Sequence, residues 1–343
     1  MNYPRIKSRS NDAVAHPHFA KDPYRWLQDK THPEVIRVIQ EENAYTKACM
    51  EDTHGLQEEL YQEMRGRIVE EDESIHSYKN GYEYFSRTHA GGEYPSYWRI
   101  TPEGQEELLL DGNQESQGHD FWELGDWEVS PSGRLLAYQV DTKGDEYYQL
   151  IIKDIESAKE IARIEQTSDS GIVFEYEEGA VFFVRMDTTH RPYQVCKYDW
   201  DSKQEEVIFE CLDEKFFVGM SQSKDDQTIY ITAGSKETDD IWWRDWQSGK
   251  EFRRLIDYRE GHQYELYRYS GCWYILSNRD EAQNYQLVRL AEGQDFWAEG
   301  QVILPESKEW MIDGIDEYKT FLVLYKTGRA TNAVEVYDLL TQE

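Results

Sequence analysis

The stretch SPSGRLLAYQVD (Ser130–Asp141) combines a turn and a strand in a pattern that the chain repeats. Pro131 and Gly133 favour a turn, because proline presets φ and glycine adopts conformations that other residues avoid. The run Leu135–Val140 is mostly apolar or aromatic, which indicates a strand that enters a buried sheet. This stretch therefore predicts a tight turn followed by a buried strand.

Six runs of this kind occur along the chain. They are YEYFSRT (82–88), LLAYQVD (135–141), VFFVRMD (181–187), TIYITAG (228–234), CWYILSN (272–278) and TFLVLYK (320–326). Their last residues are separated by 53, 46, 47, 44 and 48 residues. Each run is followed, after a polar turn, by a partner strand: YPSYWRI, YYQLIIKD, PYQVCKYD, DIWWRDW, NYQLVRL or NAVEVYDL. A repeat of this length with several strands is typical of a β-propeller blade.

A β-sandwich pair or a β-solenoid would also contain short strands at regular spacing. The period of about 45 residues favours propeller blades over both. The repeats predict five complete blades and part of a sixth, because NAVEVYDLLTQE at the end of the sequence supplies a third strand and little more. The predicted fold class is mainly β, a propeller of about five and a half blades.

The sequence before the propeller repeats is helical in its periodicity. In residues 33–50 apolar positions recur every three or four residues, and Pro33 suits a first helical turn. A second helix is predicted where Leu56, Leu60 and Met64 recur every four residues, with Gly66 near its end. We therefore expect a short α-helical segment in front of the β domain.

The composition limits the possible partners. Hydrophobic residues make up 39% of the chain and aromatic residues 14%, which indicates a folded protein. Because 68 acidic residues stand against 37 basic ones, the formal charge of −31 disfavours nucleic acid and anionic membranes. The charge fits either a solvated acidic surface or attraction of cationic peptides. No export signal is evident and the four cysteines lack C-x-x-C spacing, so we expect reduced thiols and a cytoplasmic location.

Several short motifs resemble the prolyl oligopeptidase family of serine peptidases, and within it the oligopeptidase B group. They are DPYRWL (22–27), ENAYT (42–46), NGY (80–82), GEYP (92–95), GDEY (144–147), RPYQV (191–195), SNR (277–279) and NY (284–285). Two departures are the lead-in HPHFAKDPYRW, without the family's Gly-Asp pair, and YKTGRA (325–330), which replaces a turn containing Glu-Arg.

The resemblance implies a seven-bladed propeller that caps a C-terminal α/β-hydrolase domain. Residues 1–72 would be the helical segment that packs on the hydrolase domain, and residues 73–343 an incomplete propeller. The stripe through Val35, Val38, Ile39 and Tyr45 is expected to face the hydrolase domain, which this chain would lack together with its Ser, Asp and His triad.

The sequence contains no G-x-S-x-G nucleophile motif. The nearest approach, Gly219 to Ser223 around Ser221, lacks the second glycine and lies between strand-like runs, so we interpret it as a blade loop. We assign no catalytic, cofactor-binding or metal-binding residue, and we expect no cofactor.

Possible metal ligands are interpreted in the same way. His16 and His18 form a pair without a third ligand, and we take them as an ordinary terminal pair. The acidic runs at 70–73, 225–226 and 141–146 do not match a calcium loop, so we interpret all three as solvated turns.

Two functions remain open. The first is the substrate-gating propeller of an oligopeptidase B-like serine endopeptidase that cleaves short peptides after Lys or Arg, inactive as this chain alone. The second is a stand-alone propeller that acts as a binding scaffold. The expected partners are short basic peptides, the hydrolase domain and, through an open edge formed by FLVLY (321–325) and AVEVY (333–337), a second copy of the chain.

Overall fold

The computed structural model describes residues 3–9, 22–176, 179–246, 251–269 and 271–341. The chain divides into two compact units, Met1–Asp72 and Glu73–Glu343. The first unit is helical where it is described, and the second contains nearly all of the strands.

The first unit contains helices α1 (Pro33–Met50) and α2 (His54–Arg65). His32 caps α1, because its Nδ1 accepts a hydrogen bond from the Glu34 amide at 3.1 Å. Pro33 occupies the first helical position, where no amide hydrogen is needed. Both predicted helices are confirmed, and Gly66 ends the second.

The apolar side chains of the two helices are unevenly covered. Val35 is buried, and the ring of Tyr45 meets that of Tyr3 edge-on at 5.5 Å. Of the stripe expected to face a hydrolase domain, Val35 is therefore already covered by described residues of this chain. Ile39 remains half exposed, and α2 has no buried residue.

The second unit is built from antiparallel sheets. Blade one consists of β1 (Asp72–Glu73), β2 (Ser77–Lys79), β3 (Tyr82–Thr88), β4 (Ser96–Ile100) and β5 (Glu106–Asp111), followed by the short helix α3 (Gly112–Glu115). Blades two and three share one sheet of β6 (Glu123–Val129), β7 (Leu135–Asp141), β8 (Tyr148–Asp154), β9 (Glu160–Phe174), β10 (Ala180–Met186), β11 (Pro192–Asp199) and β12 (Gln204–Glu210).

The remaining strands form three separate sheets. Blade four consists of β13 (Phe217–Gln222), β14 (Thr228–Gly234), β15 (Asp239–Asp245) and β16 (Arg253–Arg254). Blade five consists of β17 (Tyr264–Tyr269), β18 (Cys272–Ser277), β19 (Gln286–Ala291) and β20 (Gln301–Leu304), with the short helix α4 (Phe296–Glu299) before its last strand. Blade six has three described strands, β21 (Trp310–Glu317), β22 (Phe321–Gly328) and β23 (Thr331–Asp338).

Strand β9 joins blades two and three because it serves both. Its first half pairs with β8, where Ile164 lies opposite Leu150, and its second half pairs with β10, where Ile172 lies opposite Phe183. Gly171 in the second half has a φ of +124°, and a Cβ at this position would lie 2.2 Å from the Met220 carbonyl oxygen. The glycine therefore allows β9 to pass close to β13 of the next blade.

The core lies between successive sheets. Phe182 and Phe183 are neighbours on β10 and both are fully buried. Because adjacent strand residues point to opposite faces, Phe183 packs with Leu150 of blade two and Phe182 with Ile231 of blade four. A middle strand buried on both faces explains the continuous apolar runs in the sequence. The predicted fold class, a propeller preceded by a helical segment, is confirmed.

A candidate binding surface on the innermost strands

The innermost strands, taken as the first strand of each blade, are β2, β6, the second half of β9 (167–174), β13, β17 and β21. A propeller arranges the first strand of each blade around a central channel, and here β6 contacts β9, which in turn contacts β13. The innermost strands carry eight carboxylates: Glu123, Asp126, Glu128, Asp169, Glu265, Asp313, Asp316 and Glu317. Their basic side chains are only Lys79 on β2 and Arg268 on β17.

Both of these basic groups are already paired. Arg268 binds the carboxylates of Asp245 and Glu292. Lys79 Nζ lies 2.8 Å from Glu128 Oε1 and 3.0 Å from Asp226 Oδ1. The innermost strands therefore present an excess of negative charge.

Lys79, Asn80, Glu128 and Asp226 form a cluster that joins blades one, two and four, which we call the cross-blade cluster. Asn80 Nδ2 donates to Asp226 Oδ2 at 3.1 Å. Asn80 and Gly81 both have positive φ at the tip of the β2–β3 hairpin, as in the turn type preferred by Asn-Gly. Burial raises the pKa of Glu128, and the nearby Lys79 ammonium opposes this rise. The hairpin tip thus reaches the β13–β14 turn of blade four.

The interpretation of residues 225–226 as a solvated turn is wrong for Asp226. Its side chain is buried within the cross-blade cluster, and local sequence gives no sign of the distant Lys79. The same interpretation is wrong for Asp141, which is buried and accepts hydrogen bonds from the amides of Lys143, Gly144 and Glu146. These hydrogen bonds from backbone amides satisfy the Asp141 carboxylate and stabilise the turn.

The acidic run at residues 70–73 lies largely at the surface, as predicted. Glu70 pairs with Arg65, and Glu73 with Arg87. His16 and His18 lie outside the described residues. Among those that the structure describes, no group of three or more His, Cys, Asp or Glu side chains could hold a metal ion.

Ser221 lies within β13, opposite Tyr230 of β14, so its interpretation as part of a blade loop is wrong. This is a strand position and not the strand-to-helix elbow that exposes a hydrolase nucleophile. Ser221 instead contributes to the wall of a pocket of about 410 Å³ between blades four, five and six. Sequence reasoning missed this pocket, whose charged residues belong to three different repeats.

Comparison with known proteins identifies the family. The family described as prolyl oligopeptidase, N-terminal beta-propeller domain, matches residues 4–343. Dipeptidyl aminopeptidase BI of Pseudoxanthomonas mexicana is 25% identical, over 94% of this chain and 48% of its own length. Protease 2 of Moraxella lacunata is 27% identical, over 80% of this chain and 42% of its own length.

The structure of oligopeptidase B from Leishmania major superimposes with a TM-score of 0.87 at 24% identity, over 98% of this chain and 49% of that one. This similarity concerns the fold. The chain spans about half the length of the proteins that it matches. In the part that the structure describes, no helix is long and apolar enough to span a membrane. The chain belongs to the prolyl oligopeptidase family, as an N-terminal β-propeller domain of that family.

Proposed function

We propose that this chain is the substrate-gating propeller of an oligopeptidase B-like serine endopeptidase that cleaves short peptides after Lys or Arg. The observation that carries the proposal is the excess of carboxylates on the innermost strands, whose two basic groups are both paired. A channel of this charge raises the local concentration of cationic peptides and disfavours anionic ones. The resemblance to oligopeptidase B supports the same substrate class.

In this proposal the hydrolysis is carried out by a C-terminal α/β-hydrolase domain. Its serine would form an acyl-enzyme, with histidine as the base and backbone amides that stabilise the oxyanion. Residues 1–72 would pack on that domain. The exposed apolar side chains of Leu56, Leu60 and Met64 on α2 support this role, because an amphipathic helix gains stability by covering its apolar face.

The propeller would select substrates by size and charge. Folded proteins are wider than the channel of a propeller, whereas a short extended peptide can enter it. The cross-blade cluster would narrow one end of the channel, since its side chains bridge blades that are not neighbours. The four cysteines are free thiols, which suits the reducing cytoplasm that we propose as its location.

Two assays of the purified 343-residue chain test this proposal. We expect no hydrolysis of Arg- or Lys-linked chromogenic peptides, because the sequence contains no G-x-S-x-G nucleophile. Turnover that a serine-directed inhibitor abolishes would contradict this expectation. In calorimetry, acetyl-Ala-Arg-Ala-amide should bind more tightly than acetyl-Ala-Glu-Ala-amide, and the difference should shrink as salt is added. Equal binding of the two peptides would favour the scaffold alternative.

Self-association is a second proposal with its own observation. β23 is the last strand of its sheet within the described residues, and its side chains Val334 and Val336 are 66% and 59% exposed. An exposed apolar strand at a sheet edge can pair with another chain. We propose that the 343-residue chain associates through this edge.

A further inference from the structure

The pocket between blades four, five and six is strongly acidic. Its wall includes the carboxylates of Asp239, Glu265, Asp316 and Glu317 and a single basic side chain, Lys224. Lys224 comes from the β13–β14 turn of blade four, and its Nζ donates to Asp316 Oδ1 at 3.0 Å. The remaining negative charge disfavours an anionic ligand and favours a cation.

Most polar groups in the wall already have partners. Asp316 also accepts a hydrogen bond from the Tyr325 hydroxyl at 2.8 Å. The Tyr264 hydroxyl accepts from the Ile241 amide at 2.9 Å. The Tyr267 hydroxyl donates to Glu265 and accepts from the Ile315 amide. These groups therefore fix the shape of the pocket.

Two buried polar atoms in the same wall are unmatched. Glu317 Oε1 accepts from the Lys224 amide at 3.2 Å. The Arg268 amide also lies near this carboxylate, but Glu317 Oε2 has no partner in hydrogen-bonding geometry among the described residues. The hydroxyl of Tyr230 also lacks one there, although this side chain is only 7% exposed. Thr228 lies beside it without reaching hydrogen-bonding geometry. Buried polar atoms are normally satisfied by protein, water or a ligand, so this unmatched pair leaves two acceptors for a ligand in the pocket.

The ionisation of these groups fits a cationic ligand. Burial, together with the charges of Glu317 and Asp225, raises the pKa of Tyr230, so its hydroxyl is neutral and can accept a hydrogen bond. Burial raises the pKa of Glu317, and the charge of Asp225 adds to this rise, so the carboxylate at this place gains from a cationic partner. Arg268, whose charge also acts on Tyr230, is engaged with Asp245 and Glu292.

We propose that this pocket binds the ammonium or guanidinium group of a lysine or arginine side chain, which donates hydrogen bonds to Glu317 Oε2 and Tyr230 Oη. The pocket would act as an accessory subsite on the propeller for a second basic residue of the peptide, apart from the bond that is cleaved. The proposal deepens and rests on the proposed function, because it needs basic peptides to enter the channel.

An organic cation fits the wall better than a metal ion does. Calcium takes six to eight oxygen ligands, whereas the wall offers one unmatched carboxylate oxygen and one phenol. Tyr230, Tyr264 and Tyr267 line the pocket, and aromatic side chains suit the aliphatic stem and the charged head of a basic side chain.

The test measures binding of acetyl-arginine-amide to the 343-residue chain by calorimetry, with acetyl-norleucine-amide as the uncharged control. We expect measurable binding of the arginine compound only. Glu317→Gln should weaken it about tenfold, because a charge-assisted hydrogen bond becomes a neutral one. Tyr230→Phe should weaken it about threefold, because a neutral hydrogen bond is lost.

A matched control is Glu206→Gln on β12, which removes one exposed carboxylate outside the pocket. It should leave the affinity unchanged. Equal binding of the two amides, or an equal effect of Glu317→Gln and Glu206→Gln, would overturn the subsite. Circular dichroism checks that each variant is folded, and Tyr230→Phe tests the same site without any change in charge.

The outcomes separate the subsite from the proposed function. If acetyl-arginine-amide does not bind but acetyl-Ala-Arg-Ala-amide still binds more tightly than its glutamate counterpart, the subsite fails and the gating function stands. If neither basic compound binds, both proposals fail.

Discussion

Lys79 Nζ lies 3.0 Å from Asp226 Oδ1, although the two residues belong to blades one and four. Asp226 is 6% exposed and is also bound by Asn80. The contact places a hairpin tip of the first blade on a turn of the fourth. A single buried carboxylate thus connects parts of the propeller that are far apart in the sequence.

Lys79→Met should destabilise the protein by about 2 kcal/mol. The substitution leaves the buried Asp226 without its cation, and about a third of the Lys79 side chain is exposed, so the loss is smaller than for a fully buried pair. Urea unfolding measures the effect. Lys308→Met removes the ion pair of Lys308, a lysine whose side chain is 80% exposed. It should lower the free energy of unfolding by about 0.5 kcal/mol or less. Equal effects of the two substitutions would contradict a role for the cross-blade cluster in stability.

Asp239 should make the protein less stable as the pH rises from 4 to 7. Burial raises the pKa of Asp239 to about 6, against 3.8 for an ordinary aspartate. The native state therefore holds the proton more tightly than the unfolded state, and this advantage disappears as the pH passes 6. Asp239→Asn should raise the free energy of unfolding by about 2 kcal/mol at pH 7 and change it little at pH 4.

Urea unfolding at pH 4, 5, 6 and 7 measures the effect of Asp239→Asn. Asp201→Asn removes the same charge from an exposed aspartate and serves as the control. If Asp239→Asn follows the wild-type pH dependence, the native state does not hold the Asp239 proton up to pH 6, and the prediction is wrong.

His262 should make the protein less stable as the pH falls from 7 to 4. Burial, with the charges of Arg259 and Arg279, lowers the pKa of His262 to about 4. The native state excludes the proton, so the contribution of His262 is complete above pH 6.5 and is lost as the pH falls toward 4. His262→Phe should reduce the loss of unfolding free energy between pH 7 and pH 4 by about 2 kcal/mol.

Phenylalanine keeps the ring contacts of His262, which stacks on Tyr264 at 4.6 Å and also meets Phe296. It loses the hydrogen bond between His262 Nε2 and Ser277 Oγ at every pH, so the difference between pH 7 and pH 4 is the quantity to compare. His119→Phe, at an exposed histidine, is the control and should not alter the acid sensitivity. If His262→Phe loses as much unfolding free energy between pH 7 and pH 4 as the wild type does, another group causes the loss of stability in acid.

The sequence predicted the middle strands of the blades well. Residues 82–88, 135–141 and 228–234 form β3, β7 and β14 with the predicted bounds. In β7 and β14 an apolar run between turn residues specifies a strand buried on both faces, whereas β3 is mostly half-buried. Outer strands are harder to predict. β12 (Gln204–Glu210) is mostly exposed and carries no alternating apolar pattern, and only its pairing with β11 makes it a strand.

The candidate binding surface could not be predicted at the level of residues. The charge of −31 indicated a possible preference for cationic peptides, but not where the carboxylates would meet. Tyr230 and Glu317 lie in different repeats, and each looks ordinary in its own strand. Only the packing of blades four, five and six brings them into one pocket.

Val336→Lys should reduce self-association of the 343-residue chain. Val336 is 59% exposed on β23, and a lysine on a sheet edge opposes pairing with another chain. Association of the wild type should strengthen as salt screens the charge of −31 or as the pH approaches the isoelectric point of 4.6. Light scattering across a salt series measures both effects.

Val207→Lys, on the outer strand of blade three, introduces the same charge at a position that is 53% exposed and should change the association less. A wild-type chain that stays monomeric at every salt concentration would contradict association through β23.

The most direct test of the account is a chimera in which this chain replaces the corresponding region of Protease 2 from Moraxella lacunata, so that the propeller is joined to the rest of that protease. A fluorophosphonate label confirms that the active serine is intact. The rates to measure are those for Arg-containing peptides of about ten residues, for matched peptides with glutamates around the same arginine, and for an unfolded protein and its folded form. The account predicts rapid cleavage of the short basic peptides, slower cleavage of the glutamate-rich ones, and none of the folded protein. A labelled chimera that cleaves the basic and glutamate-rich peptides at equal rates, or that digests the folded protein, would contradict it.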